Sequence, residues 1–572
     1  MAAEKWMLQT KRADFDELAR YHGISPVTAR IIRNRDVVGM ESMDKYLKGG
    51  LKDLYSPYLL KDMELTVTIL KEKVREKKRI RIVGDYDIDG VCSTYLLYRA
   101  LNEIGAYADY EIPDRIKDGY GINESIIRQA AEDGIDTILT CDNGIAATTQ
   151  IALAKELGLT VLITDHHDIR KEDGVEILPP ADAIINPKQM DCSYPYPEIC
   201  GGLVAYKLVQ ALYEAYSIPQ EKWMEMLEFA AIATVGDVMK LQDENRIIVK
   251  EGLKRMGQTK SLGLKKLIEK NNLDENGVTA YQIGFVIGPC LNAGGRLHTA
   301  KLALSLLLSE SEEEADRMAQ ELKDLNDQRK TMTKQGTEKA IEQVESYHQN
   351  DKVLVVYLPD CHESLAGIIA GRLREQYQKP AFVLTDAEEG VKGSGRSIEA
   401  YHMFDALVEV KDLLEKFGGH PLAAGLSLKR ENVEPLRDRL NELAKLEEDD
   451  FVRKIWIDVP MPLEYINEPF IEELDLLEPF GQGNEKPLFA QKGLSIRSVR
   501  VLGKNRNVVK FSLASGQGMP MDGLLFANGD SFLEELLDSR KIDVIYYPTV
   551  NEYNGNKSLQ IVIKNYKILK ES

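Results

Sequence analysis

The sequence predicts an α/β protein of several domains: a doubly wound, mostly parallel sheet, joined by a long helix to a second α/β domain, with an all-β module at the C-terminus. Three observations carry this. Short apolar runs alternate with helical stretches between Arg79 and Ile185. A charge-rich segment with few helix breakers runs from Ser311 to His348. From about Lys454 onward, short strands are separated by turn residues.

Taken in order, residues 1–75 carry helical signals and little chemistry. The first α/β domain is expected over 76–250. RIRIV (Arg79 to Val83) opens it as a strand, followed by GDYDIDGVCS and an apolar helix. DTILT (Asp136 to Thr140), TVLIT (Thr160 to Thr164) and AII (Ala183 to Ile185) give further strands. A helical connector covers 251–348, and its polar, mixed-charge last part reads as a helix that bridges domains. The second α/β domain, over 349–450, begins with KVLVVYLP and PAFVLTD and runs to AAGLSL. The last module, 451–572, suggests a small barrel such as an OB-fold.

Composition excludes little. Of 572 residues, 44% are hydrophobic and 29% charged, ordinary for a globular chain. No apolar run reaches the roughly 18 residues of a membrane span, and the N-terminus lacks a signal core, so no membrane partner and a cytoplasmic location are expected. The six cysteines form no CxxC pair, which disfavours a zinc ribbon or a disulfide scaffold. The net charge of −19 argues weakly against a nucleic-acid binder, because an acidic surface can still carry a local basic channel.

The informative feature is where acids and histidines fall. Asp85, Asp87 and Asp89 follow RIRIV; Asp142 follows DTILT; Asp165, His166 and His167 follow TVLIT; Asp237 follows the apolar run EFAAIATVG. All are expected at the C-terminal ends of strands, where open α/β sheets form their sites. Several carboxylates gathered there repel unless a cation intervenes. A set of Asp and His without Cys favours Mn²⁺ or Mg²⁺, and a pair of ions suits in-line displacement at phosphorus. Other readings stay open. A lone Asp after a strand is often a helix N-cap. DxDxDG also opens calcium loops, although Leu96 stands where the closing Glu belongs.

At these residues the chain resembles the DHH phosphoesterase superfamily. The motifs are GDYDIDG (Gly84 to Gly90), TCDNG (Thr140 to Gly144), TDHH (Thr164 to His167) and TVGDVMKL (Thr234 to Leu241). Further segments are similar to the branch of bacterial single-strand exonucleases: GPCLNAGGRL (Gly288 to Leu297), GSGRS (Gly393 to Ser397), FGGHPLAAG (Phe417 to Gly425), EPFGQGNEKPLF (Glu478 to Phe489) and NEYNGNKSLQ (Asn551 to Gln560). The chain departs from the usual pattern at Gly236, Met239-Lys240, Cys361 and Ser364, none of them an expected ligand.

The resemblance implies metal ligands at Asp87, Asp89, Asp142, His166 and Asp237, with Asp85 beside them and two Mn²⁺ or Mg²⁺ ions as cofactor. It implies catalytic roles for His167, Asp142 and Asp165. Arg115, Ser394 and Arg396 would hold a terminal 5′ phosphate, Asn292 and Arg296 would grip the strand near the scissile bond, and Gly418, Gly419 and His420 would complete the substrate site. The activity implied is 5′→3′ exonuclease action on single-stranded DNA in repair and recombination, releasing 5′-mononucleotides. A monomeric chain, a single-strand-binding protein and a helicase as partners are also implied. A phosphodiesterase for short oligonucleotides or cyclic dinucleotides and an inactive nucleic-acid scaffold are the alternatives. In the last module, Lys492, Arg497, Arg500, Lys504, Arg506 and Lys510 could track phosphates, and Tyr546, Tyr547 and Tyr553 could stack bases, or the tyrosines could be core.

Overall fold

The computed structural model describes residues 4–115, 119–273, 277–516, 518–537, 539–553 and 555–569. The chain forms two compact units. One comprises residues 1–5, 55–237 and 252–453, the other 6–54, 238–251 and 454–572.

The first unit holds two five-stranded sheets. Its N-terminal sheet is formed by β1 (Arg79–Val83), β2 (Tyr107–Glu111), β3 (Thr137–Cys141), β4 (Thr160–Thr164) and β5 (Ala183–Ile185), in the order β2-β1-β3-β4-β5. Every neighbouring pair is parallel. Val83, Ile138, Ile163 and Ile184 pack with Ile126, Ile127, Ile151 and Ala154 from two covering helices, while the alternate residues Ile82, Leu139, Leu162 and Ile185 are also fully buried. Both faces are therefore covered, which is why these strands read as unbroken apolar runs.

Helix α1 (Ile88–Glu103) starts directly after β1. Helices α2 (Gly201–Ala215) and α3 (Leu227–Gly236) pack with it. The run before Asp237, expected to behave as a strand, is this helix α3. An apolar run buried on all sides has no period to read, and its three alanines and lack of internal breakers favour a helix. Helix α4 (Gly288–Leu297) leads toward the long helix α5 (Glu312–Gln343).

The second sheet comprises β6 (Leu354–Tyr357), β7 (Ala381–Asp386), β8 (Val391–Arg396), β9 (Lys416–His420) and β10 (Ala423–Leu428), in the order β9-β10-β8-β7-β6. Only β6–β7 is parallel. Helix α6 (Ala366–Tyr377) lies against β7 and β8.

The other unit is built on a six-stranded sheet of β11 (Val459–Pro460), β12 (Phe489–Leu502), β13 (Val508–Ala514), β14 (Met521–Leu525), β15 (Lys541–Tyr553) and β16 (Asn556–Leu569). The order is β11-β12-β13-β14-β16-β15, and a further β12–β15 pairing closes it into a barrel. Helices Phe15–His22, Pro26–Asn34 and Met40–Lys48 join its core through Leu18, Ile31, Ile32, Met43 and Leu47. Tyr546 and Tyr547 are core residues at 0% and 4% exposure, and the Tyr546 hydroxyl donates to the Met461 carbonyl at 2.7 Å. They are not stacking faces, and the side chain of Tyr553 lies outside the described residues. Lys510 and Arg506 are paired with Asp522 and Asp530, whereas Lys492, Arg497, Arg500 and Lys504 are exposed.

Candidate metal centre

The site forms at the C-terminal edge of the parallel sheet. Asp85 and Asp87 leave β1, Asp142 leaves β3, and Asp165, His166 and His167 leave β4. Asp237 reaches the same place from the end of α3. Asp142 stands at φ 61°, a left-handed conformation that Asp adopts more readily than most residues.

Ligand-type atoms cluster in three overlapping groups: Asp85, Asp87 and Asp142; Asp89, His166 and Asp237; Asp142, His166 and His167. Within each group they lie within 4.8 Å of one another. His166 Nε2 is 3.2 Å from Asp142 Oδ1, 3.6 Å from Asp89 and 3.7 Å from Asp237. Yet Asp142 Oδ1 and both ring nitrogens of His166 are buried without a hydrogen-bond partner. Buried polar atoms are seldom left unsatisfied. Atoms arranged this way suit a shared cation, so the donor set fits a divalent metal.

Electrostatics point the same way. Burial, then the neighbouring Asp87 charge, pushes the Asp85 carboxyl up to about 8. Burial, then Asp89 and Asp87, pushes Asp237 up to about 8 as well. Asp87 and Asp142 are raised for the same two reasons. Burial holds the His166 imidazole below its ordinary value, favouring the neutral ring that ligates metals.

Two of the acids also shape the backbone. Asp87 caps α1, accepting from the Asp89 and Gly90 amides at 3.0 and 3.1 Å. Capping and a place in the cluster thus coexist in one side chain. Asp89 accepts from the Gly201 and Gly202 amides at 2.8 and 2.7 Å, which ties α1 to the start of α2. Glycine is required there. A Cβ on Gly201 would sit 2.7 Å from the Asp142 Cβ, and one on Gly202 would sit 2.4 Å from the Ala233 Cβ.

Beside the cluster, Asp165 takes four N–H groups or ring contacts: the His166 amide at 2.7 Å, the His167 amide at 3.1 Å, the Ile145 amide at 2.9 Å, and His167 Nδ1 at 2.7 Å. Although burial opposes it, the His167 partnership holds Asp165 down to about 2. Burial likewise opposes protonation of His167, but Asp165 raises its imidazole to about 9.

Several supporting residues went unmarked in the sequence. Asn143 donates to the Val83 and Cys141 carbonyls and accepts from the Ile122 amide, locking the turn that carries Asp142. The Tyr120 hydroxyl lies 3.0 Å from the Asp142 carbonyl and 3.1 Å from His167 Nε2. Gly201 and Gly202 belong with them. Only their adjacency to motif residues, in TCDNG and DGYG, could have signalled the first two.

The arginines gather on the same unit. Arg296 is pushed down to about 10, by burial first and then by the charges of Arg115, Arg329 and Arg396. Burial and the charges of Arg374 and Arg115 lower Arg396. Arg115 lies over the Tyr86 ring at 4.6 Å, and Arg296 donates to the Ser364 carbonyl at 2.8 Å. Because that contact uses backbone, Ser364 itself does not disturb it. Arg396 Nη1 lies 3.3 Å from the Ser394 hydroxyl and 2.8 Å from the Gly395 carbonyl. Gly367 leaves room there, since a Cβ on it would meet Ser394 at 2.8 Å and Arg396 at 3.0 Å. Asn292 spends its carbonyl on the Ile88 amide at 2.9 Å, bracing the loop between Asp87 and Asp89. Gly418, Gly419 and His420 are exposed on edge strand β9, with His420 close enough to lower Asp168 after its Lys188 partner. Among the described residues no carboxylate forms an ion pair with Arg115, Arg296 or Arg396, and guanidinium groups crowded together in this way suit a phosphate.

Comparison with known proteins decides the family. Residues 79–234 match the model for the DHH family N-terminal domain, 350–446 the DHHA1 domain, and 457–565 the RecJ OB domain. The single-stranded-DNA-specific exonuclease RecJ of Bacillus subtilis (strain 168) is 38% identical over 572 residues, covering 99% of this chain and 71% of the relative. That of Escherichia coli (strain K12) is 33% identical over 585 residues, covering 98% and 99%. The chain belongs to the RecJ family. A crystal structure of Thermus thermophilus RecJ in complex with Mn²⁺ superposes with a TM-score of 0.85 at 28% identity, covering 100% of this chain and 80% of that one. The same RecJ in complex with Mg²⁺ gives 0.79. The DHH sheet, the DHHA1 sheet and the OB barrel are therefore the domains of the RecJ family. Among the described residues, no helix is long and apolar enough to cross a membrane.

Proposed function

We propose that this chain is a metal-dependent exonuclease that degrades single-stranded DNA 5′→3′ and releases 5′-mononucleotides. One observation carries the reading: a buried carboxylate–imidazole cluster with orphaned donor atoms shares a unit with a cluster of mutually repelling arginines. Asp85, Asp87, Asp89, Asp142, His166 and Asp237 would hold two Mn²⁺ or Mg²⁺ ions. Such ions, when bound, activate an attacking water and stabilise the leaving oxygen. Asp165 fixes the orientation of His167, and the imidazole so held can pass a proton at the reacting group. Arg115, Ser394 and Arg396 bind a terminal 5′ phosphate, with bidentate guanidinium geometry selecting it over a hydroxyl. Arg296 and Asn292 position the strand near the scissile bond, and Gly418, Gly419 and His420 border it. Exposed Lys492, Arg500 and Lys504 on the OB module would follow the phosphates. The chain acts as a cytoplasmic monomer, with a single-strand-binding protein and a helicase as partners.

Digestion of end-labelled single and double strands with Mn²⁺, Mg²⁺ or chelator tests this. Single strands should shorten from the 5′ end with either metal and persist in chelator, while duplex should resist. Asp142→Ala should abolish hydrolysis and leave DNA binding measurable; full activity in that variant would refute the metal role. Arg396→Ala should erase the preference for 5′-phosphorylated over 5′-hydroxyl ends. If wild type and variant discriminate equally, the phosphate assignment fails.

A further inference from the structure

The segment that leads into α4 carries two large aromatic side chains that the chain itself does not bury. Tyr281 and Phe285 are 67% and 66% exposed, and their rings lie 4.5 Å apart with only 25° between planes. Aromatic side chains normally bury most of their area. Here two of them stack on each other in solvent, leaving a flat outer face. The backbone that carries Phe285, Ile283–Ile287, is a π-helix, a rare form found disproportionately at functional sites, and Tyr281 lies in the helical turn just before it.

Its position is specific. Ile283 and Ile287 are fully buried, so the segment is anchored by its inner face. A Cβ on Gly284 would lie 3.7 Å from Val235, two residues before Asp237, and one on Gly288 would lie 3.1 Å from Ile88, between Asp87 and Asp89. The same helical run continues to Asn292 and Arg296. The aromatic pair thus stands about one to two helical turns before Gly288, which packs on Ile88, in the helical run that continues to the strand-gripping residues.

We infer that Tyr281 and Phe285 form a stacking platform for unpaired nucleobases of the substrate strand beside the cleavage site. Single strands present flat π-faces that duplexes keep stacked internally, and aromatic platforms of this kind bind bases with little sequence preference. The platform adds a base-dependent, single-strand-selective term to the phosphate contacts. The inference rests on the proposed nuclease reading, and the test separates the two.

The full-length chain is compared with Tyr281→Ala/Phe285→Ala, each in the Asp142→Ala background, for binding to a 20-nucleotide oligothymidylate and to a 20-mer of abasic sites. The double variant should bind the oligothymidylate about tenfold or more weakly and the abasic strand as the parent does. The ring-preserving exchange Tyr281→Phe/Phe285→Tyr should restore base-dependent binding, which shows that the loss is not misfolding. Equal losses on both strands, or no loss, would overturn the inference. So would unchanged DNA binding with parental self-association, seen by sedimentation, that the double variant abolishes, because the pair would then be a contact between copies. Failure of wild type to cut any single strand with Mn²⁺ would instead remove the nuclease reading itself.

Discussion

Asp165 shows how much one buried carboxylate can organise. It fixes the turn after β4 by accepting the Ile145, His166 and His167 amides, and it sets the imidazole of His167 by the 2.7 Å contact to Nδ1. An amide at this position keeps the shape and loses the charge that holds the ring. Asp165→Asn should therefore lower kcat by about 100-fold or more while leaving single-strand affinity near wild type, as single-turnover digestion would show; a wild-type rate would remove His167 from proton transfer. The acids and histidines of the cluster were legible in the sequence because each directly follows an apolar run or stands in a short motif. Tyr120, Asn143, Gly201 and Gly202 were not. Their contributions are a hydroxyl on a carbonyl, a turn lock and the absence of a Cβ, and none of these has a residue-type signature.

At the scale of elements, α3 is the instructive case. Its apolar run gave no period, so only the structure shows that Asp237 comes from a helix end. Its first turn buries Glu228 at 3% exposure, with the Thr259 hydroxyl donating to it at 2.7 Å. Burial pushes this carboxyl up from 4.5 to about 7. A raised folded value means that the neutral form is the one the fold favours. Its stability contribution is complete below pH 4.5 and is lost as pH rises through about 7. The loss amounts to up to about 3 kcal/mol. Glu228→Gln should flatten the difference in Tm between pH 5 and pH 8 in chelator and make the variant the more stable protein at pH 8. A variant that tracks wild type across that range would show Glu228 to be ionised without penalty. The β-rich module was legible as strands from its turn residues. The burial of Tyr546 and Tyr547 was not, because aromatic residues in a closed barrel can point either way and only the register decides.

For the whole molecule, domain types followed from alternation and motif, but the two units did not follow from sequence order. Residues 6–54 and 238–251 join the unit of the OB barrel although they are distant from it along the chain. Leu241 donates to the Gln482 carbonyl at 2.8 Å, and buried Arg246 donates to the carbonyls of Tyr46, Leu476 and Leu477. Such non-local contacts leave no periodic trace. The electrostatic consequence for the molecule is that its metal-free form holds carboxyl groups near pKa 8 that are ordinary acids in the unfolded chain. Calorimetric titration of the chelator-treated protein with Mn²⁺ at pH 7, run in buffers of different ionisation enthalpy, reads both the ions bound and the protons displaced. Two ions should bind with release of roughly one to two protons per chain, and the release should fall as pH rises toward about 9.5, where the Asp85 and Asp237 carboxyls are already ionised. Binding with no proton release at pH 7, or no binding at all, would contradict a buried acidic cluster that only divalent cations make tolerable.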